Sequence, residues 1–171
     1  MEPSSESAGV HRMECMEIWG GSSAVDRDVS TPGLDGWIFS RPHDGAAGGG
    51  DVHYVSLCGG GIVTRLIVAD VSGHGRAVAE MAASLRALMR RNINSKSQTS
   101  LVKALNQQFA ELAQMSRFAT AVVATYLAHR RRLTVCNAGH PRPLWYRAAA
   151  GSWELMVEAR DGAGRDRKSV V

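Results

Sequence analysis

The spacing of apolar and polar positions changes several times along the chain, and each change marks an element. Residues 52–57 and 62–71 are apolar, β-rich runs separated by Cys58-Gly59-Gly60-Gly61, a composition suited to a hairpin turn. Beyond the link Ser72-Gly73-His74-Gly75 the period becomes helical. Val78, Met81, Ala82, Leu85, Leu88 and Met89 share one face, which predicts a helix of about four turns over 75–92. A polar linker at 94–98 leads to a second amphipathic pattern, Leu101, Leu105, Phe109 and Leu112, predicting a helix over 100–114. Strands are expected at 118–127 and 132–137, with His129 and Arg130 at the turn. Pro141 and Pro143 then interrupt backbone pairing before a last short strand at 153–157.

The N-terminal third is less regular. Residues 1–12 are polar and aperiodic and are expected to be a flexible lead. A short strand is predicted at 15–19, then a Gly-, Ser-, Asp- and Pro-rich loop through 36, a strand at 37–40, and a second loop at 41–50 that ends in three glycines. The order β-β-α-α-β-β predicts an α+β fold, with helices packed on a largely antiparallel sheet. A chain of 171 residues has room for one such domain.

Composition narrows the picture. A hydrophobic share of 44% with 21% charged residues describes a folded chain rather than a disordered one. The net charge of +4 and pI near 9.3 raise nucleic-acid binding as a class. The basic residues are scattered, however, and no aromatic side chains are interleaved with them as stacking platforms. Cys15, Cys58 and Cys136 are odd in number and widely spaced, so neither a disulfide framework nor a zinc knuckle is expected. With no membrane-length apolar run and no signal-peptide core, the expected setting is the cytoplasm.

The candidate chemistry lies in the central hairpin. Paired residues in an antiparallel ladder have a constant sum of residue numbers. A turn centred between Gly60 and Gly61 makes that sum about 121, which sets Asp51 opposite Asp70. Like charges in that position repel. A shared proton or a bound divalent cation relieves the repulsion, and the glycines at 48–50 and at 73 and 75 favour the cation by letting backbone and water approach closely. The alternative is that both aspartates merely flank strands and face water, or that a one-residue slip places them on opposite faces.

The segments GGGD at 48–51 and IVADVSGHG at 67–75 resemble the N-terminal signatures of the metal-dependent protein phosphatase (PPM) family, in its bacterial SpoIIE-type branch. Phe118-Ala119-Thr120-Ala121 and Cys136-Asn137-Ala138-Gly139-His140-Pro141 resemble that branch's FAT strand and NAGHP turn, in the right order. The resemblance covers about residues 48–146. It implies part of an α/β/β/α sandwich, mainly antiparallel sheets flanked by two helices, with a dinuclear Mn2+ or Mg2+ site at one end of the sheets. Asp51 and Asp70 match the family's first two metal-binding aspartates, and Val71 matches its main-chain carbonyl ligand. The implied activity is hydrolysis of phosphoserine or phosphothreonine on a protein by a metal-activated water, with no protein nucleophile. The implied substrate is a phosphorylated anti-sigma-factor antagonist.

Other residues have plainer expected roles. His74 is a candidate donor or proton carrier near the metals. Ser72 reads as a helix N-cap, and Asn137 and His140 as turn-shaping residues. The loop at 45–51 lacks the Lys and Ser/Thr of a phosphate-binding P-loop. The family's later metal-binding aspartates have no match, so the phosphatase domain, taken as 13–160, is expected to be incomplete and this chain to have little activity. Residues 166–171 back-translate in frame to a sequence resembling a sequencing-library adapter, so 161–171 are expected to be non-native or disordered. The competing class is a non-catalytic, phosphatase-like binding or regulatory module.

Overall fold

The computed structural model describes residues 9–42, 48–72, 75–113, 119–156, 159–160, 166–167 and 169–170. At its centre is the hairpin of β5 (Asp51–Cys58) and β6 (Val63–Val71), closed by the pair Cys58 and Val63. Gly59, Gly60 and Gly61 all have positive φ, at 66°, 72° and 81°. Three successive residues in that region would be strained with any side chain, and this is why the tip is a glycine run.

Every residue of β5 after Asp51 is buried, because both faces of this strand are covered. Its apolar run therefore lacks the alternation of a half-exposed strand. Around the hairpin a six-stranded sheet runs in the order β13 (Ser169–Val170), β8 (Arg132–Ala138), β7 (Ala119–Leu127), β6, β5, β2 (Glu17–Gly21). All of its neighbours are antiparallel.

Helices α1 (Arg76–Arg91) and α2 (Gln98–Ala113) cover one face. Val52, Tyr54, Ile67, Ala69, Val71, Ala121 and Val123 from the sheet share a core with Val78, Met81, Leu85, Met89, Leu101 and Leu105 from the helices. The opposite face carries a second, smaller core in which Val55 and Leu57 meet Met13 and Val29, with Trp19, Ile38 and Leu66 packed against them. Val29 and Ile38 belong to a three-stranded sheet of β1 (His11–Arg12), β3 (Val25–Thr31) and β4 (Leu34–Ser40). The layers are thus helix, sheet, sheet: an α+β arrangement with mostly antiparallel strands and both helices on one side.

Three local expectations are corrected. The loop expected through 36 contains β3 and the start of β4, joined at Pro32-Gly33, with full pairing from Val25 and Ser40 to Thr31 and Leu34. Its alternation of Val25, Val29 and Thr31 with Asp26, Asp28 and Ser30 suits a strand with one buried face, and the acidic residues hid that signal. The expected lead overlaps β1, whose two residues pair in parallel with β3. Finally, β9 (Leu144–Arg147) pairs with β10 (Ser152–Leu155) directly after the prolines. Pro143 lacks an N–H, yet its carbonyl still accepts from the Met156 N–H at 2.8 Å. In the C-terminal part, β11 (Ala159–Arg160) pairs with β12 (Asp166–Arg167), and β13 lies against β8.

Candidate metal centre

The ladder between β5 and β6 places Asp51 directly opposite Asp70, the register expected from the glycine tip. Alternation along the strands sends both side chains to the face that carries the small sheet. On β5, Val55 and Leu57 mark that face, and on β6 Leu66 does so. Both aspartates are exposed, and among the described residues neither carboxylate has an ion-pair partner. The slipped register and the separation onto opposite faces are therefore excluded.

Val71 ends β6 with its side chain buried in the helix-side core, so only its main chain can serve the site. Its N–H donates to the Gly50 carbonyl at 3.0 Å, which ties the glycine-rich approach of β5 to the end of β6. Asp51, Asp70 and the Val71 carbonyl are hard oxygen donors of the kind that hold Mg2+ or Mn2+. No group of three or more His, Cys, Asp or Glu side chains is assembled among the described residues. The donor set thus fits a divalent cation in chemistry and leaves much of its coordination to other donors.

The remaining expected residues are placed unequally. His74 and Phe118 lie outside the described residues. Ser72 is not the N-cap of α1, because the helix begins at Arg76 with Gly75 in the cap position at φ 68° and no side-chain cap. The link is longer than a cap at Ser72 allows. Asn137 and His140 do shape their turn: the Asn137 Oδ1 accepts from the His140 N–H at 2.8 Å, and its Nδ2 donates to the His140 carbonyl at 2.7 Å.

Two residues to which the sequence assigned no role of their own join this face. Thr120 pairs with Asp70 across the β6–β7 ladder, and its hydroxyl lies 2.8 Å from His140 Nδ1. The row Asp51, Asp70, Thr120 thus connects to the NAGHP turn. His53, two residues along β5 from Asp51, is only 8% exposed and tilts against Trp19. Its Nδ1 has no partner among the described residues. Burial pushes its pKa down from 6.5, while the charge of Asp51 pushes it up. The period of two that puts Asp51 and His53 on one face was legible in the sequence, whereas the pairing of Thr120 with Asp70 across two intervening helices was not.

Residues 61–160 match the family model for Stage II sporulation protein E (SpoIIE). The chain belongs to the SpoIIE family. Asp70, Val71 and the NAGHP turn fall inside the matched span, and Asp51 precedes it. The family is one of metal-dependent serine/threonine protein phosphatases. The fold is similar to the crystal structure of the RsbU and RsbW domains of Rv1364c from Mycobacterium tuberculosis, with a TM-score of 0.57 and 23% identity. That likeness covers 91% of this chain and 39% of the other. No curated protein gives a significant match. Among the described residues no helix is long and apolar enough to cross a membrane.

Proposed function

We propose that this domain belongs to the machinery that hydrolyses phosphoserine or phosphothreonine on a protein substrate, with Mn2+ or Mg2+ held at Asp51, Asp70 and the Val71 carbonyl. The observation that carries the reading is the opposition of the two carboxylates across one ladder, exposed and without a cationic partner, in a chain of the SpoIIE family. Divalent cations at such a place supply a water of lowered pKa and offset the charge of phosphoryl oxygens. The protein's own contribution is positional. The paired strands hold the carboxylates at a fixed spacing, and the contact between Val71 and Gly50 keeps the two strand ends together. His74, in the link before α1, is proposed as a donor near the cations.

The proposed substrate is a phosphorylated anti-sigma-factor antagonist, the class that the resemblance to SpoIIE-type phosphatases implies. Two carboxylates leave a divalent pair with excess positive charge, so the 171-residue chain by itself is expected to bind metal weakly and to turn over little or no phosphopeptide. The small donor set also favours a second reading, a phosphatase-like module that binds a partner without chemistry. Isothermal titration with MnCl2 separates the two. Uptake that disappears in Asp70→Ala supports the metal-site reading, and equal heats in both proteins exclude it. Phosphate release from a phosphoserine peptide, at a rate typical of a complete phosphatase, would contradict the expected low turnover.

A further inference from the structure

Three sulfur atoms meet at the end of β5 that lies farthest from Asp51. Cys58, 2% exposed, donates its thiol hydrogen to Asn94 Oδ1 at 2.7 Å. Its Sγ is 3.1 Å from Met16 Sδ and 3.9 Å from Cys15 Sγ. Cys15 is exposed at the turn before β2. That turn is anchored, since the Met16 N–H donates to the Leu57 carbonyl at 2.8 Å and Arg90 Nη1 donates to the Met16 carbonyl at 2.9 Å. Met16 has φ 71°, a conformation rarely adopted by residues with a side chain, and it is held there with its sulfur over Cys58.

A second observation falls on the same spot. Arg65 on β6 shares the helix-side face with Cys58 and is 1% exposed. Its Nη1 donates to the Asn92 and Ile93 carbonyls at 2.9 and 3.2 Å, whereas Nε and Nη2 have no partner. Among the described residues no carboxylate pairs with this guanidinium. Burial lowers the Arg65 pKa, and the charge Cys58 carries when ionised opposes that lowering. The thiolate is the reactive form in thiol chemistry.

We propose that Cys15 and Cys58 are a peroxide-oxidisable dithiol that closes into a disulfide. The accessible Cys15 thiolate attacks one oxygen of hydrogen peroxide, forming an S–O bond as the O–O bond breaks and hydroxide leaves. The Cys58 thiolate then attacks the sulfur of the Cys15 sulfenic acid. The S–S bond forms, the S–O bond breaks, and the departing hydroxide takes up a proton. Two thiols are oxidised and one peroxide is reduced to two waters. The bond joins residues 43 apart in sequence and clamps the segment before β2 onto the end of β5. Because seven residues of β5, about 23 Å, separate it from Asp51, the clamp acts on stability and leaves metal uptake unchanged.

The test uses the full 171-residue chain, reduced, exposed to hydrogen peroxide, alkylated and mapped by mass spectrometry. The expected product is a peptide pair joined through Cys15 and Cys58, lighter by about 2 Da than the two reduced peptides and reversed by dithiothreitol. Cys136 should remain alkylatable, and the melting temperature should rise by about 5–10 °C. Cys15→Ser removes the linkage and the rise, and Cys136→Ser keeps both. Conversion of Cys15 to sulfinic acid while Cys58 stays alkylatable would overturn the proposal, as would a linkage through Cys136 or between two chains.

Discussion

Two like charges facing each other across a β-ladder oppose folding by roughly 0.2–1 kcal/mol unless a cation or a proton joins them. Asp70→Asn removes that repulsion, so its melting temperature without metal should equal or exceed that of the wild type by about 1–3 °C, read by calorimetry in EDTA. With MnCl2 the order should reverse, because only the wild type gains stability from ligation. A variant that melts lower than the wild type in EDTA would show that the carboxylates do not repel. Tyr54 gives a pH prediction on the helix side. Its hydroxyl is buried and donates to the Ala82 carbonyl at 2.9 Å. Burial raises its pKa above 10.0, against a smaller lowering by Arg86. The unfolded phenol ionises first, so this contribution is complete below pH 10 and is lost as pH rises through the folded pKa. Tyr54→Phe should lower stability by about 1 kcal/mol at pH 7 and flatten the loss above pH 10 in urea titrations.

Among the elements, β5 and β6 are set by their turn and β2 by a close approach. A Cβ on Gly60 meets nothing within 4 Å, so Gly60→Ala tests conformation alone and should cost about 1–2 kcal/mol. A Cβ on Gly20 at φ 119° would lie 2.3 Å from the His53 carbonyl oxygen, which no backbone tolerates. Gly20→Ala adds a steric clash to the conformational cost and should destabilise by about 1–3 kcal/mol or more. Denaturant midpoints that rank Gly60→Ala as the worse variant would contradict the approach of β2 to His53. These elements were unequally legible. The helical period of Leu85 and its neighbours identifies α1 within a residue or two, because one buried stripe suffices for a surface helix. The alternation in β3 was masked by Asp26 and Asp28, whose outward positions are visible only once Val29 is known to pack on Val55 and Leu57.

At the scale of the whole molecule the two faces of the large sheet differ. The helices bury one face, where Leu85 is 0% exposed, and truncation to alanine there should cost about 2–5 kcal/mol. The small sheet covers the other face in part and leaves Val68 45% exposed in the middle of the sheet, near Asp70. An apolar slot of about 210 Å³ lies between the sheets beside it, lined by Ile38, His53, Leu66 and Val68. Open apolar surface of this kind favours self-association. Sedimentation equilibrium should show concentration-dependent association that Val68→Thr weakens, with stability changed by under about 0.5 kcal/mol. A strictly monomeric wild type at high concentration would show that the slot is too narrow to be sticky.

The chain's own order of residues located the hairpin tip at the glycine run and so the register to within one residue, and the structure selected the centre between Gly60 and Gly61. Residue order also determined the stripe on α1 and the motifs that mark the SpoIIE family, since each is a local property of spacing and residue type. Which face a strand turns inward, and so the burial of His53 and Arg65 and the meeting of Cys15 with Cys58, was decided only by tertiary structure. Those facts depend on which distant segments cover each side of the sheet, and packing between residues 43 positions apart leaves no periodic trace along the chain.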